Sequence, residues 1–227
     1  MSKAVVLLSG GLDSSTTLAI ADQHNEKVHA LTFKYGQKND KEINSAEKLA
    51  DHFSVEEHKV LNIQVDKIGR SSLLESGDDI PDHEKDEIGD EIPSTYVPAR
   101  NIIFLSYALS YAESIEADHI YIGATSRDYS GYPDCRPEFF DAFQKVIEEG
   151  TKRGVENKSI QIKHPIINMS KAEIVKKGDE LNVPFHMTWS CYKGDKKACG
   201  KCDSCKLRLK GFEEADLEDP IKYDINT

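Results

Sequence analysis

The chain has 227 residues, 30% of them charged, with a formal net charge of −11. That length suits one α/β domain with a full core, and the acidic balance with no basic stripe argues against a nucleic-acid surface. No apolar run approaches the roughly 20 residues of a membrane span, and Ala4–Leu8 is too short for a signal peptide, so the expectation is a cytoplasmic protein with neither a membrane nor a nucleic-acid partner.

The first predicted strand, Ala4 to Leu8, runs directly into Ser9-Gly10-Gly11-Leu12-Asp13-Ser14-Ser15, and a helix-forming stretch follows from Thr16 to Ala21. Two glycines let the backbone turn sharply and approach a ligand. The opening N–H groups of the helix lack intrahelical partners and carry partial positive charge. With the hydroxyls of Ser9, Ser14 and Ser15, this makes a cradle for a multiply charged oxyanion such as pyrophosphate. Neither Gly-Lys-Ser/Thr nor Gly-x-Gly-x-x-Gly is present, which excludes a Walker A loop and the dinucleotide fingerprint. The segment resembles the Ser-Gly-Gly-x-Asp-Ser motif of the PP-loop ATP pyrophosphatases, which activate substrates by adenylylation.

Further along, Val28–Tyr35 predicts a second strand, residues 39–53 a helix with Ile43, Ala46, Leu49, Ala50 and Phe53 on one stripe, and Glu57–Leu61 a third strand. Between Glu75 and Glu91 lie nine acids and one lysine, a net of −8 that leaves −3 for the rest of the chain. This segment reads as a solvated surface excursion with no assigned role. Ala99–Glu116 predicts the longest helix, just after Pro98. His119–Ala124 predicts a strand, Pro137–Arg153 a helix, and Ile160–Ile166 a strand. Ser170–Leu181 predicts a helix opened by a Ser170/Glu173 capping box. Strands alternating with helices argue for a doubly wound parallel sheet, covered on both faces, with its ligand at the carboxyl ends of the strands. The expected division is a nucleotide-binding domain over 1–185 and a C-terminal segment over 186–227 packed on it.

That segment carries Cys191-x7-Cys199-x2-Cys202-x2-Cys205. Thiolates at two-residue gaps converge on one ion, and four complete the tetrahedral shell of structural zinc. An iron–sulfur cluster is the competing reading, but the ferredoxin continuation Cys-x3-Cys-Pro is absent. Nearby lysines offset the charge of a tetrathiolate. Cys135 stands alone with no adjacent base and reads as a small packing residue rather than a nucleophile.

Several runs now combine: the Ser9–Ser15 loop, Phe33-Lys34-Tyr35-Gly36-Gln37, Pro98-Ala99-Arg100-Asn101, Tyr132-Pro133-Asp134-Cys135-Arg136-Pro137-Glu138-Phe139, and Trp189-Ser190-Cys191 leading into the cysteines. Together they resemble the 7-cyano-7-deazaguanine synthase family over nearly the whole chain. The resemblance implies an adenine nucleotide alpha hydrolase-like (PP-loop) fold and a carbon–nitrogen ligase of queuosine or archaeosine biosynthesis. Its reaction takes 7-carboxy-7-deazaguanine, ammonium and ATP to 7-cyano-7-deazaguanine, through an adenylylated carboxylate and an amide, with Mg²⁺ and one structural Zn²⁺. It also implies residue roles. Leu8, Ser9, Gly10, Gly11, Leu12, Asp13, Ser14, Ser15, Thr16, Thr17 and Leu18 form the nucleotide segment, and the strand end at Phe33 meets adenine. Asp13, Ser14 and Arg100 are the catalytic candidates. Asp13 organises the loop or helps hold Mg²⁺, with a helix-capping role as the structural alternative. Arg127, Asp128, Tyr132, Asp134 and Arg136 are candidates for recognising the base and its carboxylate. Cys191, Cys199, Cys202 and Cys205 hold the metal. A homodimer is left open, as is a second reading in which the loop serves a tRNA-modifying ligase or thiolase with a zinc ribbon.

Overall fold

The apolar runs become strands that are buried without alternation, six consecutive buried positions in the second of them, which is the pattern of a sheet covered on both faces. A computed structural model describes residues 2–224 apart from 39, 70, 75–76, 78–91, 93, 128–131 and 194–195. The acidic segment, save Gly77, and the candidate Asp128 lie outside the described residues.

Strands β1 (Lys3–Leu7), β2 (Lys27–Lys34), β3 (Glu57–Asn62), β4 (His119–Ile122) and β5 (Gln161–Lys163) form one parallel sheet in the order β3-β2-β1-β4-β5. Val6 pairs with Ala30 on one side and Tyr121 on the other. The chain therefore winds outward to β3, returns across β1, and winds outward again to β5. Its direction reverses between β1 and β4, the switch point at which doubly wound sheets bind ligands.

Side chains of β1 divide by period two. Val5 and Leu7 point to a core shared with α3 (Arg100–Ser114) and α4 (Pro137–Gly150), through Leu105, Ala108, Phe140 and Ile147. Ala4, Val6 and Leu8 face α1 (Leu12–His24) and α2 (Lys41–His52), through Leu18, Ala46 and Leu49. On the α1 side the core continues into α6 (Lys171–Glu180) and α7 (Asp203–Glu214), where Ile20, Ile174, Val175 and Phe212 meet. Leu105 is fully buried, so truncating it to alanine should cost about 2–5 kcal/mol.

Four local features depart from the sequence expectation. Helix α1 starts at Leu12, not at Thr16. Ser14 and Ser15 donate their hydroxyls to the Gly11 carbonyl at 3.1 and 2.7 Å, and Thr16 to Leu12 at 3.1 Å, so these weak helix formers satisfy themselves inside the first turns. The helix expected to Arg153 stops at Gly150, and a single turn, α5 (Lys152–Val155), restarts behind Thr151, whose hydroxyl accepts the Gly154 N–H at 2.9 Å. Strand β5 ends at Lys163, two residues before Pro165, which has no N–H for a ladder. Helix α7 lies in the Cys- and Lys-rich tail, where the sequence offered no clean apolar stripe.

Candidate functional site

Leaving β1, the Leu8 N–H still donates to Leu31 at 2.9 Å; the chain then breaks from the sheet at Ser9. Gly10 has φ +86°, and a Cβ there would lie 2.1 Å from the Glu42 carbonyl oxygen and 2.7 Å from the Ala46 nitrogen. Only glycine lets α2 press this closely on the loop. Gly11 is the N-cap of α1 and supplies no side-chain cap. The first helical bond runs from Ser15 N–H to the Gly11 carbonyl at 3.1 Å, so the opening N–H groups are left for a ligand. The turn is held by hydroxyls: Ser9 N–H donates to Ser14 Oγ at 3.2 Å, the Ser9 and Ser14 Oγ atoms lie 3.0 Å apart, and Gly11 N–H donates to Ser9 Oγ at 3.3 Å.

This loop forms one wall of a cavity of about 270 Å³ at the carboxyl edge of the sheet. Leu8, Ser9, Gly11, Leu12, Asp13 and Ser14 line it, as do Phe33, Arg100 and Tyr132 from other elements. Gly10 is turned against α2, while Ser15, Thr16, Thr17 and Leu18 are buried in α1 behind the wall. Phe33 stacks on Phe104 with ring centroids 4.2 Å apart.

Asp13 is the second residue of α1, where its charge complements the helix dipole. Both of its carboxylate oxygens accept from Lys171 Nζ at 2.8 Å. Lys171 was not singled out from the sequence, yet it also lines the cavity. The signal was available: it follows the Ser170 cap, and in a parallel α/β fold every helix N-terminus comes to the carboxyl edge of the sheet. Glu42, at the start of α2, is a second missed cavity residue. Burial pushes its carboxyl up to about 7, with Arg100 pulling the other way.

Arg100 opens α3. Burial works against its charge, but Tyr35, Tyr132, Cys135 and Asp134 around it outweigh that and hold the guanidinium above its ordinary range. The same burial raises Tyr35 and Tyr132, against the pull of Arg100. It pushes the Cys135 thiol up to about 11, where it is protonated at neutral pH and a poor nucleophile.

The remaining base-recognition candidates separate. Tyr132 is buried in the cavity wall, with its hydroxyl 2.6 Å from Thr95 Oγ1. Asp134 is committed to α3: its carboxylate accepts the Asn101 N–H at 3.0 Å and its carbonyl accepts Asn101 Nδ2 at 2.9 Å. It supplies the capping that the helix's own N-cap residue, Ala99 at φ +56°, does not. Arg127 and Arg136 are exposed and outside the cavity lining, Arg127 at 3.9 Å from Glu173 and Arg136 donating to the Pro133 carbonyl at 3.3 Å.

Beside the cavity, the ligand atoms of Cys191, Cys199, Cys202 and Cys205 all lie within 4.8 Å of one another. Zinc–sulfur bonds of about 2.3 Å in a tetrahedron place sulfurs roughly 3.8 Å apart, and the Cys199–Cys205 separation is 3.9 Å. Main-chain N–H groups already point at sulfur: Cys199 N–H at Cys191 Sγ, 3.2 Å, and Cys202 N–H at Cys199 Sγ, 3.3 Å. Thiol contacts from Cys202 and Cys205 lower Cys191, while contacts with Cys191 and Cys202 raise Cys205. Four sulfurs this close cannot all ionise without a cation among them, and the donor set fits a metal ion. The cluster is tied to the loop, since the Trp189 N–H donates to the Gly10 carbonyl at 2.9 Å and its indole N–H to the Cys191 carbonyl at 3.0 Å. Lys41 Nζ sits 4.1 Å over the indole ring. Among the described residues, no helix is long and apolar enough to cross a membrane.

Comparison with known proteins agrees with this architecture. The 7-cyano-7-deazaguanine synthase of Acetivibrio thermocellus is 53% identical over 223 residues, covering 98% of this chain and 98% of that protein. The one of Thermoplasma acidophilum is 52% identical over 222 residues, 98% of this chain and 92% of that protein. The solved structure of a 4-thiouridine synthetase–RNA complex with bound ATP aligns with a TM-score of 0.51 at 16% identity, covering 95% of this chain and 53% of that one, and shares the fold alone. The family model described as Queuosine biosynthesis protein QueC matches residues 3–216. With that match and with half of its residues shared with named synthases over nearly its full length, the chain belongs to the QueC family.

Proposed function

We propose that this chain is an ATP-dependent ligase that converts 7-carboxy-7-deazaguanine and ammonia to 7-cyano-7-deazaguanine. The observation that carries the proposal is the convergence of uncommitted α1 N–H groups, the Ser9 and Ser14 hydroxyls, and Arg100 on one cavity at the switch point of a QueC-family chain. A carboxylate is a poor electrophile, and hydroxide leaves badly. A grip on the β- and γ-phosphates exposes the α-phosphorus to the substrate carboxylate, so that adenylate becomes the leaving group when ammonia attacks. A second activation, at the amide oxygen, permits dehydration to the nitrile.

Within this reading Ser9, Gly10, Gly11, Ser14 and Ser15 cradle the phosphates, and the backbone near Phe33 meets adenine. Arg100 neutralises charge that builds on the α-phosphate. Tyr132 packs against the base inside the cavity, Asp134 orders the α3 end that presents Arg100, and Arg127 and Arg136, with Asp128, remain the candidates for meeting the substrate carboxylate. Asp13 would help hold Mg²⁺, which would supply charge neutralisation to the triphosphate. The four cysteines hold Zn²⁺ with no open coordination position, which makes that metal structural. The chain divides into a nucleotide-binding domain over 1–185 and the metal segment over 186–227. Its substrates are small molecules, and its setting is the cytoplasm, where thiols stay reduced.

The test is mass spectrometry of an incubation with 7-carboxy-7-deazaguanine, ATP, Mg²⁺ and ammonium. The nitrile product with AMP and pyrophosphate is expected. Recovery of unchanged carboxylate from folded, zinc-loaded protein would overturn the proposal. Salt-sensitive binding of tRNA with no turnover of the free base would favour the tRNA-modifying alternative.

A further inference from the structure

Lys171 is the first residue of α6, and a cation there opposes the dipole of its own helix. It also faces the N-terminus of α1 across the cavity edge, through Asp13. Two positive helix ends and an ammonium thus meet at the Asp13 carboxylate, on the cavity wall that carries the Ser9–Ser14 loop. The pair is largely buried, the Lys171 side chain 12% and Asp13 26% exposed.

An independent feature concerns how Lys171 is aimed. Gly211 lies inside α7, where glycine weakens a helix relative to alanine. A Cβ at Gly211 would fall 2.4 Å from Lys171 Cγ, 2.9 Å from Lys171 Cβ and 3.2 Å from its carbonyl carbon. The contact is with the stem and main chain of Lys171, which cannot swing away as a flexible tip could. The helix that Cys202 caps and that carries Cys205 therefore keeps a gap through which the lysine stem reaches the phosphate loop.

We infer that Lys171 is a further catalytic residue, which exchanges Asp13 for phosphate oxygens when the triphosphate enters, and that Gly211 holds it on that path. The inference rests on the nucleotide assignment of the proposed function. In the step it serves, a carboxylate oxygen of the substrate bonds to the α-phosphorus while the bond from that phosphorus to the α–β bridging oxygen breaks. The bridging oxygen keeps the electron pair and departs with pyrophosphate, and no proton is transferred. The Lys171 ammonium neutralises the charge gathering on the leaving group, and Asp13, released from it, becomes available to a divalent cation.

Nucleotide binding can be followed by the fluorescence of Trp189, the single tryptophan of the chain, whose N–H holds Gly10. The probes are ATP with Mg²⁺ for turnover and α,β-methylene-ATP with Mg²⁺ for binding. Lys171→Met should lower kcat about 100-fold or more, and analogue affinity about 10-fold, with metal content unchanged. Lys171→Arg should restore most of the affinity and only part of kcat, because the charge returns in a different shape. Gly211→Ala should move both quantities the same way by about 10-fold, with the metal retained. Metal-loaded Lys171→Met with wild-type kcat and affinity would overturn the catalytic role. Wild-type behaviour of Gly211→Ala would overturn the aiming role. Should wild-type protein make no nitrile while Lys171→Met still loses analogue affinity, the inference about Lys171 stands and the proposed overall reaction falls.

Discussion

The phosphate loop and the four-cysteine segment are built to hold their ligands by opposite means. The loop offers main-chain N–H groups, and its defining residues are those with little or no side chain, Gly10 packed against α2 and Gly11 at the N-cap. The metal segment offers side chains at fixed spacing, with main-chain N–H groups turned inward to sulfur. The loop is therefore damaged by adding atoms and the segment by removing them. Trp189 joins the two, bonding Gly10 through its main chain and the Cys191 carbonyl through its indole, so damage to the metal segment should reach the loop.

Removal of a ligand should have the largest effect. Cys202→Ser should lose the metal and soluble yield together, and any folded fraction should bind nucleotide poorly; elemental analysis and Trp189 fluorescence check both. An active, metal-free variant would separate the two regions and contradict the structural role. Next comes Arg208, whose side chain is 2% exposed and bonds both Asp219 oxygens at 2.8 and 2.9 Å, Thr188 Oγ1 at 2.6 Å and the Phe185 carbonyl at 3.3 Å. Arg208→Met leaves the Asp219 carboxylate buried without its cation, with only the Tyr223 hydroxyl and the Ile221 N–H, among the described residues, bonded to it, and should lower the unfolding free energy by ~3–5 kcal/mol in urea titration. Stability close to wild type would mean that the metal alone anchors the segment.

Adding atoms tests the loop. Gly10→Ala forces a Cβ into the α2 backbone at positive φ and should cost ~1–3 kcal/mol while abolishing nucleotide binding, with metal stoichiometry intact. Binding at wild-type affinity would show that the loop tolerates bulk and would weaken the contrast.

The smallest effect belongs to the opposite edge of the sheet, where polar groups serve structure only. Burial pushes the Asp118 carboxyl up, but Arg153 at 3.0 Å and the Lys3 N–H outweigh it, and the net shift is downward. A lowered carboxyl stabilises the fold above its unfolded-state range of about 4 and loses that contribution as pH falls through the folded value. Asp118 is 41% exposed, so Asp118→Asn should cost no more than ~1 kcal/mol at pH 7. The gap from wild type in thermal melts should narrow toward pH 3. A gap that widened in acid would reverse the sign of this linkage.

Much of this was legible in one dimension. The β1 run, the Ser9–Ser15 loop and the Ser170/Glu173 capping box rest on local rules, and the structure bears out the strand, the turn and the cap. The cysteine spacing brought four sulfurs together because two-residue gaps leave few other geometries. Boundaries were less legible where a long-range partner decides them. Ser14 to Thr16 are poor helix formers whose hydroxyls find the Gly11 and Leu12 carbonyls only once the turn has closed. Helix α7 packs on α6 with a face that carries Arg208 and Gly211 beside Phe212, so the buried face is not an apolar stripe that the sequence would display. Of the candidates for base recognition, Tyr132 alone lines the cavity among the described residues, since Asp134 was drawn off to cap α3.

The sequence by itself determined the α/β class, the glycine turn that opens α1 and a quartet of clustered thiols that could hold a metal, each of which depends on residues a few positions apart. Tertiary structure alone decided which further distant groups come near that turn: Lys171, 158 positions from Asp13, Glu42 on α2, and, behind the Lys171 stem, Gly211 on α7. Lys171 and Glu42 reach the turn because a parallel sheet collects the N-termini of its crossover helices at one edge, while Gly211 comes near it only through the packing of α7 on α6; proximity across the crossovers is set by the order of the strands rather than by spacing along the chain.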